Sequence, residues 1–513
     1  MKQAAFLVMI ITIVSKIVGF VREIALSYVY GASAITDAYL ISQTIPLTIF
    51  SFISAGIATG YIPIYSKIQQ NDGKLNADRF TSNLSNSLLL LATIIVAFVL
   101  VFTQQVVKLF ASGFSGETLE LAVRFTRITV FGVYFTAVLN IFSGYLRVHE
   151  HYLAPALIGF PMNFIIISSL FISTKTNVYV IAFGSFLAIA SQFMLLIPFL
   201  RRTGYQHQLV VDWKDEYLKE MIFIALPVIV GTSVNEINVL VDRTLASRIT
   251  VGGISALNYA RRLNGFVQGL VVVSLTSVMF PMISKMAAAE NIKGLKQTVN
   301  EAMASMSLLI VPATVGAMIF AEEIVALLFG RGAFTAAAIT MTGNALFYYS
   351  IGMIAFGLRD VLSRAFYALQ DSKTPVINAT IGVVLNIVLN IILSQYLGIG
   401  GLALATSISA IVAVVLLFIS LRRKIGGLGL SQLSKSIIKI GLASVIMGVI
   451  ARGGFNYLKQ SLGQNLALII AIGIGVVVYG ILVYLMRIPE MDQTIAAVKR
   501  RLRVRYEARG RSE

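Results

Sequence analysis

The stretch SKIVGFVREIALSYVYGASAITD, residues 15–37, governs how the rest of the chain is interpreted. It lies in the first long apolar segment, yet it contains Lys16, Arg22 and Glu23, and Asp37 begins the next segment. A charge inside a membrane helix costs at least about 2.5–3.5 kcal/mol, so it rarely persists without a partner or a water-filled cavity. On a helix, Lys16 and Glu23 share one face, whereas Arg22 lies on another flank.

Two interpretations of these charges remain. In the first, Lys16 and Glu23 neutralise each other, and Arg22 extends its guanidinium to the membrane surface. In the second, which we favour, the residues form a cationic site that receives an anion inside the membrane. Under both interpretations we expect Arg22 to have no partner on its own helix.

The composition indicates a membrane protein. Of the 513 residues, 57% are hydrophobic and 12% are charged, whereas soluble domains have about 25% charged residues. The net charge of +18 does not indicate a nucleic-acid partner, because the basic residues lie between apolar segments and in the tail, as in cytoplasmic loops. The absence of cysteine excludes disulfides, thiolate metal sites and cysteine nucleophiles.

The N-terminus has some features of a secretion signal, namely Lys2, an apolar run and a small-residue stretch at 32–34. The apolar region of a signal contains about 7–15 uncharged residues. Here that region would include Lys16, Arg22 and Glu23. We therefore expect a retained first helix.

The apolar pattern predicts an all-α polytopic membrane protein with about fourteen spans, since each span needs about 20 apolar residues. A polar connector, residues 201–220, separates the first six spans from the rest. The predicted spans are 4–30, 37–66, 83–107, 121–147, 153–173, 177–200, 221–247, 254–284, 300–321, 336–368, 375–396, 401–421, 436–452 and 465–486.

Basic residues are concentrated on one side of these spans, which predicts that both termini are cytoplasmic. The basic loop residues on that side are Lys67, Lys74, Arg79, Arg147, Arg201, Arg202, Lys285, Lys293, Lys296, Lys373, Arg422, Arg423 and Lys424. The tail, residues 487–513, is also basic. We expect it to be either a helix on the anionic membrane surface or a solvated run of charges.

Short motifs indicate an internal repeat. PIYSKI at 63–68 corresponds to PMISKM at 281–286, and IGFPMN at 158–163 corresponds to IGVVLN at 381–386. These positions predict two six-helix lobes, repeated about an axis along the membrane normal, with a site between them. The predicted divisions are an N-terminal lobe at 1–200, a C-terminal lobe at 221–421, two extra helices at 436–486 and the tail at 487–513.

The second half carries its own intramembrane charges. Adjacent helical residues point about 100° apart, so at most one of Arg261 and Arg262 is expected to face the central axis. Asp242 and Arg243 are either a local pair or two separate site residues. The tenth span adds Arg359 and Asp360.

Asn386 and Asn390 lie one turn apart on the eleventh span, and Thr406 lies on the twelfth. Neutral oxygens together with one carboxylate could bind a hard cation. Asparagines in membrane helices also commonly bond to a neighbouring helix. Both interpretations stay open.

The sequence contains no catalytic motif that we recognise. His149, His151 and His207 fall in predicted cytoplasmic loops, and no HExxH, P-loop or GxSxG pattern is present. We therefore expect no enzyme activity and no bound cofactor. Any work would be driven by the membrane potential or by coupling to Na⁺ or H⁺.

Three motifs resemble the MurJ/MviN lipid II flippases, which belong to the multidrug/oligosaccharidyl-lipid/polysaccharide exporter superfamily. They are SKIVGFVREIALSYVYGAS at 15–33, followed by TDAY; YARRL at 259–263; and YALQDSKTP at 367–375. The resemblance covers essentially the whole chain. It implies two lobes in a V around a cationic cavity, with the helices at 436–486 forming a groove for a polyprenyl tail.

The resemblance also implies substrate-binding residues. Lys16 stands where the family usually has arginine, and Arg22 matches the family's essential arginine. Glu23 replaces the usual aspartate. Asp37 matches an acidic residue of the second helix, and Arg262 matches the cavity arginine of the eighth.

A sodium site described for some family members falls on Asp242, Asn386, Asn390, the backbone of Leu402, and Thr406. Asn390 replaces a carboxylate, which leaves Asp242 as the only carboxylate of the site. We therefore expect a weak site for a monovalent cation, because affinity depends on the charge of the ligands.

The second helix departs from the family pattern. It reads PLTIFSFISAG at 46–56, with Phe50, Ser51 and Ala55 where many members have paired arginines and a Glu-Gly. This departure keeps a second substrate open, namely another polyprenyl-diphosphate-linked oligosaccharide.

The sequence and the resemblance together predict a lipid II flippase of the bacterial cytoplasmic membrane that works by alternating access. Its expected partners are lipid II and membrane lipid, with no nucleic acid, and we expect a monomer. A drug or cation antiporter is less favoured, because the last two spans would have no role. An intramembrane glycosyl- or phosphotransferase is disfavoured by the lack of an acidic catalytic cluster in the loops.

Overall fold

The computed structural model describes residues 2–428 and 430–488, and every regular element in that part of the chain is an α-helix. The predicted all-α fold is confirmed. The first half contains α1 (Lys2–Tyr30), α2 (Ala34–Asp72), α3 (Lys74–Val101), α4 (Thr103–Phe110), α5 (Gly116–Thr129), α6 (Gly132–Val148), α7 (Leu153–Leu157), α8 (Gly159–Ser173) and α9 (Val180–Arg202). The second contains α10 (Glu216–Ile249), α11 (Gly253–Ala288), α12 (Ile292–Ile319), α13 (Ala321–Phe329), α14 (Ala336–Ile351), α15 (Met353–Ala368), α16 (Lys373–Ile425), α17 (Leu430–Leu462) and α18 (Gln464–Leu485).

Many of these helices are long and apolar enough to cross a membrane. Within the described residues there are nine such helices, or twelve if each of three bent pairs is one span. α16 is 53 residues long and contains two predicted spans, with a break at Gly398. The membrane-spanning character is therefore confirmed, whereas the number fourteen stays a prediction.

The order of the helices repeats in the two halves. α2 and α11 are 39 and 36 residues long, and α3 and α12 are each 28 residues long. A short helix follows in each half, and then a pair that bends by 45° at α5–α6 and by 41° at α14–α15. This order matches the repeat that the short motifs predict.

Equivalent turns of the two halves share an unusual backbone. After α6 and after α15, Glu150 and Gln370 have φ values of 62° and 57°. Glycine usually occupies this left-handed position, at which a six-residue hydrogen bond closes the end of a helix. The closing bonds run from the His151 N–H to the Leu146 carbonyl at 2.8 Å, and from the Asp371 N–H to the Phe366 carbonyl at 2.9 Å.

The chain forms two compact units. The first comprises Met1–Ala256 and Phe329–Ala338, and the second comprises the remaining residues. The first unit therefore includes α10, which is the first helix of the second repeat. The predicted lobes at 1–200 and 221–421 describe the sequence repeat and stay a prediction.

In the first unit, polar residues of α3 hold the connector at 201–220. The Asn83 side chain donates to the Asp212 carbonyl at 2.9 Å, and Asn86 donates to the Gln208 carbonyl at 2.8 Å. These bonds satisfy backbone groups that would otherwise lack partners. They explain why the first turns of α3 are polar although the helix continues as an apolar span.

In the second unit, α17 packs against α12 and α18. Arg452 forms an ion pair with Glu323 at 2.5 Å and lies over the Phe455 ring at 5.3 Å. The Tyr479 hydroxyl donates to the Leu308 carbonyl at 2.7 Å. The last two long helices are therefore attached to the second repeat. The predicted tail helix lies outside the described residues from position 489 onwards.

Candidate functional site in the long helices

The charged stretch of α1 forms an ion pair that sequence reasoning did not predict. The Arg22 guanidinium donates to Glu23 at 2.8 Å, and the side chains are 19% and 6% exposed. The prediction that Arg22 has no partner on its own helix is wrong, because the long arginine side chain reaches round to the adjacent residue. Lys16 is exposed and forms no ion pair within the described part of the chain, so the alternative Lys16–Glu23 pair is absent.

Close packing on α8 holds α1 in place. A Cβ atom added at Gly159 would lie 2.2 Å from the Ser15 hydroxyl, so a larger residue there would have to displace the Ser15 side chain. One turn along, Gly19 lies against the Asn163 side chain. The IGFPMN motif therefore has a packing role, and it fixes the helix that carries Arg22.

Asp37 lies in the first turn of α2 and is 1% exposed. Its carboxylate accepts the Gly252 N–H at 2.7 Å and the Ser255 N–H at 2.8 Å, and it also accepts the Ser255 hydroxyl. Such bonds satisfy the free N–H groups at the start of a helix, here α11. These contacts give Asp37 a structural role. Its predicted contact with substrate stays a prediction.

The far end of α10 is bonded to the first repeat. The Arg243 guanidinium donates to the Leu40 carbonyl of α2 at 3.1 Å, and the Thr244 hydroxyl donates to the Leu109 carbonyl of α4 at 3.0 Å. Asp242 is 7% exposed. Of the adjacent residues Asp242 and Arg243, the arginine thus reaches towards α2.

A further intramembrane acid, Glu236, was missed by sequence reasoning. It lies on α10 in the middle of the predicted span 221–247, and the Thr48 hydroxyl of α2 donates to its carboxylate at 3.0 Å. The rule that singled out Arg22 and Glu23, a charge within an apolar span, would also have found Glu236. The apolar part of α10 therefore carries two carboxylates, Glu236 and Asp242.

The arginines of the YARRL motif belong to the second unit. Arg261 and Arg262 are both exposed there. Asn264, one turn further, donates to the Tyr349 carbonyl at 3.1 Å and joins α11 to α14. Exposure does not distinguish the two arginines, so the assignment of Arg262 to substrate stays a prediction.

On α15, Asp360 does not pair with the adjacent Arg359. Asp360 bonds to Arg364 one turn later, at 3.0 Å. Arg359 is exposed and lies over the Phe356 ring at 5.5 Å. Residues four apart on a helix face each other, whereas adjacent residues diverge.

Four of the predicted sodium ligands lie together in the second unit. Asn390 donates to the Asn386 side-chain oxygen at 2.8 Å, Asn386 donates to the Thr406 hydroxyl at 3.3 Å, and Thr406 donates to the Leu402 carbonyl at 3.0 Å. The fifth ligand, Asp242, belongs to the first unit. Neutral amide, hydroxyl and carbonyl oxygens suit a hard cation. The oxygens of Asn386, Thr406 and Leu402 already accept hydrogen bonds from N–H and O–H donors of this group, and that fits weak rather than tight binding.

The YALQDSKTP motif ends in an ion pair outside the spans. Asp371 bonds to Lys424 at 2.6 Å and accepts the Thr374 N–H at 3.0 Å. The Lys424 ammonium, together with the Thr374 bonds, lowers the pKa of Asp371 to about 2. The motif therefore joins the two ends of α16.

Comparison with known proteins identifies the family. The chain matches the profile of the family described as "Lipid II flippase MurJ" over residues 26–473. The "Probable lipid II flippase MurJ" of Thermotoga maritima is 29% identical over 486 residues, which cover 94% of this chain and 96% of that protein. The solved structure described as "Lipid II flippase MurJ, inward closed conformation" has a TM-score of 0.81 and 27% identity, and the match covers 94% of this chain and 98% of that one.

A more distant match shows the fold alone. An inward-facing multidrug transporter of the MATE family, in the MOP superfamily, has a TM-score of 0.67 and 17% identity, over 81% of this chain and 96% of that one. The resemblance seen in the three motifs is confirmed. Because the family profile covers most of its length, the chain belongs to the MurJ lipid II flippase family.

Proposed function

We propose that this chain moves lipid II from the cytoplasmic to the outer leaflet of the bacterial cytoplasmic membrane by alternating access. The observation that carries the proposal is the match to the lipid II flippase family over residues 26–473. The long apolar helices supply the membrane-spanning scaffold that such a task requires.

Arg22 is the proposed contact for the diphosphate of the substrate. A guanidinium has five N–H donors in a planar fork, which suits two oxygens of a phosphate group. One donor is bonded to Glu23, and that bond holds the fork in a fixed direction. Lys16 and Arg262, both exposed, are proposed to add positive charge around the head group.

The polyprenyl tail is proposed to stay in lipid beside the last two long helices, within residues 436–486. α18 presents an exposed apolar face, and its attachment through α17 to the second repeat keeps that face next to the lobe. The exposed residues of that face are Ile469, Ile472, Val476, Val477 and Ile481.

The driving force is proposed to be the membrane potential or a coupled monovalent cation. The bonded group Asn386, Asn390, Leu402 and Thr406, together with Asp242, would hold a sodium ion loosely. The basic loops support an orientation with both termini in the cytoplasm. We further propose that the chain acts as a monomer, that it binds no nucleic acid, and that it moves its substrate without changing it chemically.

A second substrate is supported by the departure in α2. Phe50 is 1% exposed and packs in the core, and the Ser51 hydroxyl bonds to the Thr48 carbonyl. This stretch therefore offers no cation where many family members have two arginines. A flippase for another polyprenyl-diphosphate-linked oligosaccharide is the alternative.

Native mass spectrometry of lipids that co-purify with the protein would separate the two substrates. We expect the mass of lipid II, and we expect Arg22→Ala to lose the bound lipid. A different lipid-linked saccharide would establish the alternative. Incubation with a lipid II analogue provides a further check, since a new covalent product would show an enzyme.

A further inference from the structure

The connector between α9 and α10 exposes apolar side chains. Its residues 205–212 have no regular secondary structure. Leu209 is 93% exposed, Val211 is 45% exposed and Trp213 is 56% exposed. One exposed leucine is ordinary on a protein surface, but here three apolar side chains fall within five residues, and one of them is the single tryptophan of the chain. Such a group indicates contact with something other than water.

The backbone of this segment is held on α3. Asn86 donates to the Val210 carbonyl at 2.9 Å. Asn83 donates to the Asp212 carbonyl at 2.9 Å and accepts the Asp212 N–H at 2.7 Å. Asn83 and Asn86 are both buried. The segment is thus fixed on α3 through its backbone, while its three apolar side chains stay exposed.

The apolar surface of α3 shows at which depth the segment lies. Leu90, Ile94 and Val101 are exposed, and they share one face of the helix with Asn83. An exposed apolar face on a membrane-spanning helix contacts lipid. Asn86 and Asn83 lie about 6 and about 10 Å before Leu90 along the helix, and the head-group layer is about 5–8 Å deep. The segment therefore crosses the lipid-facing side of α3 at the level of the head groups.

The start of α10 lies at the same level. The Asp215 carboxylate accepts the Tyr217 and Leu218 N–H groups at 2.8 and 3.3 Å, and so caps the first turn of α10. The first large apolar residue that α10 exposes is Ile222, about 9 Å after the start of the helix at Glu216. The segment therefore joins α10 just outside the apolar surface of that helix as well.

Exposed basic side chains accompany the segment. Arg201 and Arg202 end α9, and Lys214 follows Trp213. Within the described residues, none of these three basic side chains takes part in an ion pair. The neighbouring acid Asp212 accepts the Lys214 backbone N–H at 2.9 Å. Basic residues next to a membrane are attracted by anionic lipid head groups.

We propose that residues 209–213 form a lipid anchor, which inserts Leu209, Val211 and Trp213 into the head-group layer of the predicted cytoplasmic leaflet. Arg201 and Arg202 contact the phosphates of anionic phospholipids beside it. Tryptophan suits this depth, because its ring is apolar and its N–H is polar. The anchor fixes the level at which α10 enters the membrane. It acts in the same way whichever lipid the chain transports.

Fluorescence of Trp213 tests the anchor directly, since the chain contains no other tryptophan. The full chain is placed in vesicles of phosphatidylcholine and phosphatidylglycerol. We expect strong quenching by phosphatidylcholine brominated near the head group, weaker quenching by lipid brominated near the chain end, and little quenching by acrylamide in the water. Quenching by acrylamide alone would place Trp213 in water, and protection from all three quenchers would place it against protein. Either result would overturn the proposal.

A double variant, Leu209→Ser with Val211→Ser, tests the other two side chains. Both are exposed, so the packed core stays intact. We expect the variant to lose most of the quenching by brominated lipid and to become more accessible to acrylamide. The matched control is Leu75→Ser, an exposed leucine of α3 that lies about 22 Å before Leu90 along the helix. Quenching in the double variant equal to that of the control would overturn the insertion of Leu209 and Val211.

The charge of the vesicles tests the two arginines. We expect quenching of the wild type by brominated lipid to fall when phosphatidylglycerol is omitted, and we expect Arg201→Gln with Arg202→Gln to remove this dependence. Equal quenching of the wild type in both kinds of vesicle would overturn the role of the arginines. Quenching needs no transport, so a failure of the proposed function would be seen separately, as a chain that moves no lipid while Trp213 stays quenched.

Discussion

The first helices of the two repeats, α1 and α10, have the same register and different surroundings. Each carries an arginine nine residues before a glycine with positive φ: Arg22 before Gly31, at 61°, and Arg243 before Gly252, at 80°. Arg22 bonds to Glu23 on its own helix, whereas Arg243 bonds to the Leu40 carbonyl on α2. Arg22 therefore belongs to a charged site, whereas Arg243 bonds one helix to another.

The two helices also pack against different neighbours. α1 lies on α8 of its own repeat, where glycine at Gly159 permits close approach. α10 lies along α2, which belongs to the other repeat. A charged residue at equivalent positions of the two repeats therefore need not have the same role, since the neighbouring helix decides which partner it contacts.

The largest expected effect is loss of function in Arg22→Ala. The variant removes the proposed diphosphate contact and also the ion pair with Glu23, and it leaves the small-residue packing on α8 intact, so we expect the chain still to fold and insert. Charge-assisted hydrogen bonds contribute about 1.5–3 kcal/mol each, which corresponds to at least about tenfold in lipid affinity. Growth of a strain depleted of its own flippase measures the effect. Normal growth on Arg22→Ala would contradict a charged site in α1.

Arg243→Ala tests the other half of the comparison. We expect a loss of stability of about 1.5–3 kcal/mol, because a charged donor to a buried carbonyl is removed. Thermal unfolding of the purified chain measures this loss, and lipid affinity should stay near that of the wild type. A variant that is stable but binds no lipid would mean that both arginines serve the substrate.

The two turn glycines sharpen the comparison further. A Cβ at Gly31 or at Gly252 would lie 2.3 or 2.4 Å from a backbone carbonyl oxygen, and positive φ adds about 1–2 kcal/mol of strain for any other residue. Gly116→Ala is a control, since Gly116 has φ 52° with nothing within 4 Å. We expect Gly31→Ala and Gly252→Ala to lower the unfolding temperature more than Gly116→Ala. Equal shifts of the unfolding temperature in all three variants would show that the positive φ, and not the nearby carbonyl oxygen, causes the loss of stability.

A smaller effect is expected at the proposed sodium site. Asn390→Asp adds a carboxylate among the oxygens of Asn386, Thr406 and Leu402, so sodium should bind more tightly. Asp242→Asn should remove the dependence on the ion and leave lipid binding unchanged. Isothermal titration with sodium measures both. Equal affinities in the wild type and both variants would make these residues helix-packing groups.

The smallest effect concerns Asp371, outside the spans. Its pKa is lowered to about 2, chiefly by Lys424, below the usual value of about 3.9 for an aspartate. The stabilisation is therefore complete above about pH 4 and lost as the pH falls towards 2. Asp371→Asn should lower stability by at most about 1 kcal/mol near neutral pH, because surface ion pairs contribute little, and should change nothing at the acidic end. Thermal unfolding against pH checks this, and a pH-independent difference would exclude the ion pair as its cause.

The sequence was a good guide wherever hydrophobicity decides the structure. The all-α fold follows from long apolar segments, because a chain in lipid must satisfy its backbone hydrogen bonds within helices. The repeat could be read from short motifs, and the structure gives one of them, at 158–163, a packing role between Ser15 and Gly159.

Pairing of side chains was harder to predict. Helical geometry placed Arg22 and Glu23 on different flanks, yet the length of the arginine lets them meet. Asp37 bonds to Gly252 and Ser255, which are more than 200 positions away in the sequence. A sequence does not reveal such a partner, because it depends on how two helices pack.

Backbone conformation and Glu236 were missed for different reasons. Glu150 and Gln370 adopt a conformation that usually needs glycine, so their sequence gives no signal. Glu236 does give a signal, a charge within an apolar span, and the same rule applied evenly along α10 would have found it. The positive φ values of Glu150 and Gln370 thus could not be predicted from the sequence, whereas Glu236 could have been.

Translocation of a labelled lipid II analogue in liposomes that contain the purified chain measures lipid transport itself. We expect the wild type to move the analogue between leaflets, Arg22→Ala not to move it, and Arg243→Ala still to move it once its lower stability is allowed for. Translocation by Arg22→Ala at the rate of the wild type would exclude Arg22 as the contact for the diphosphate.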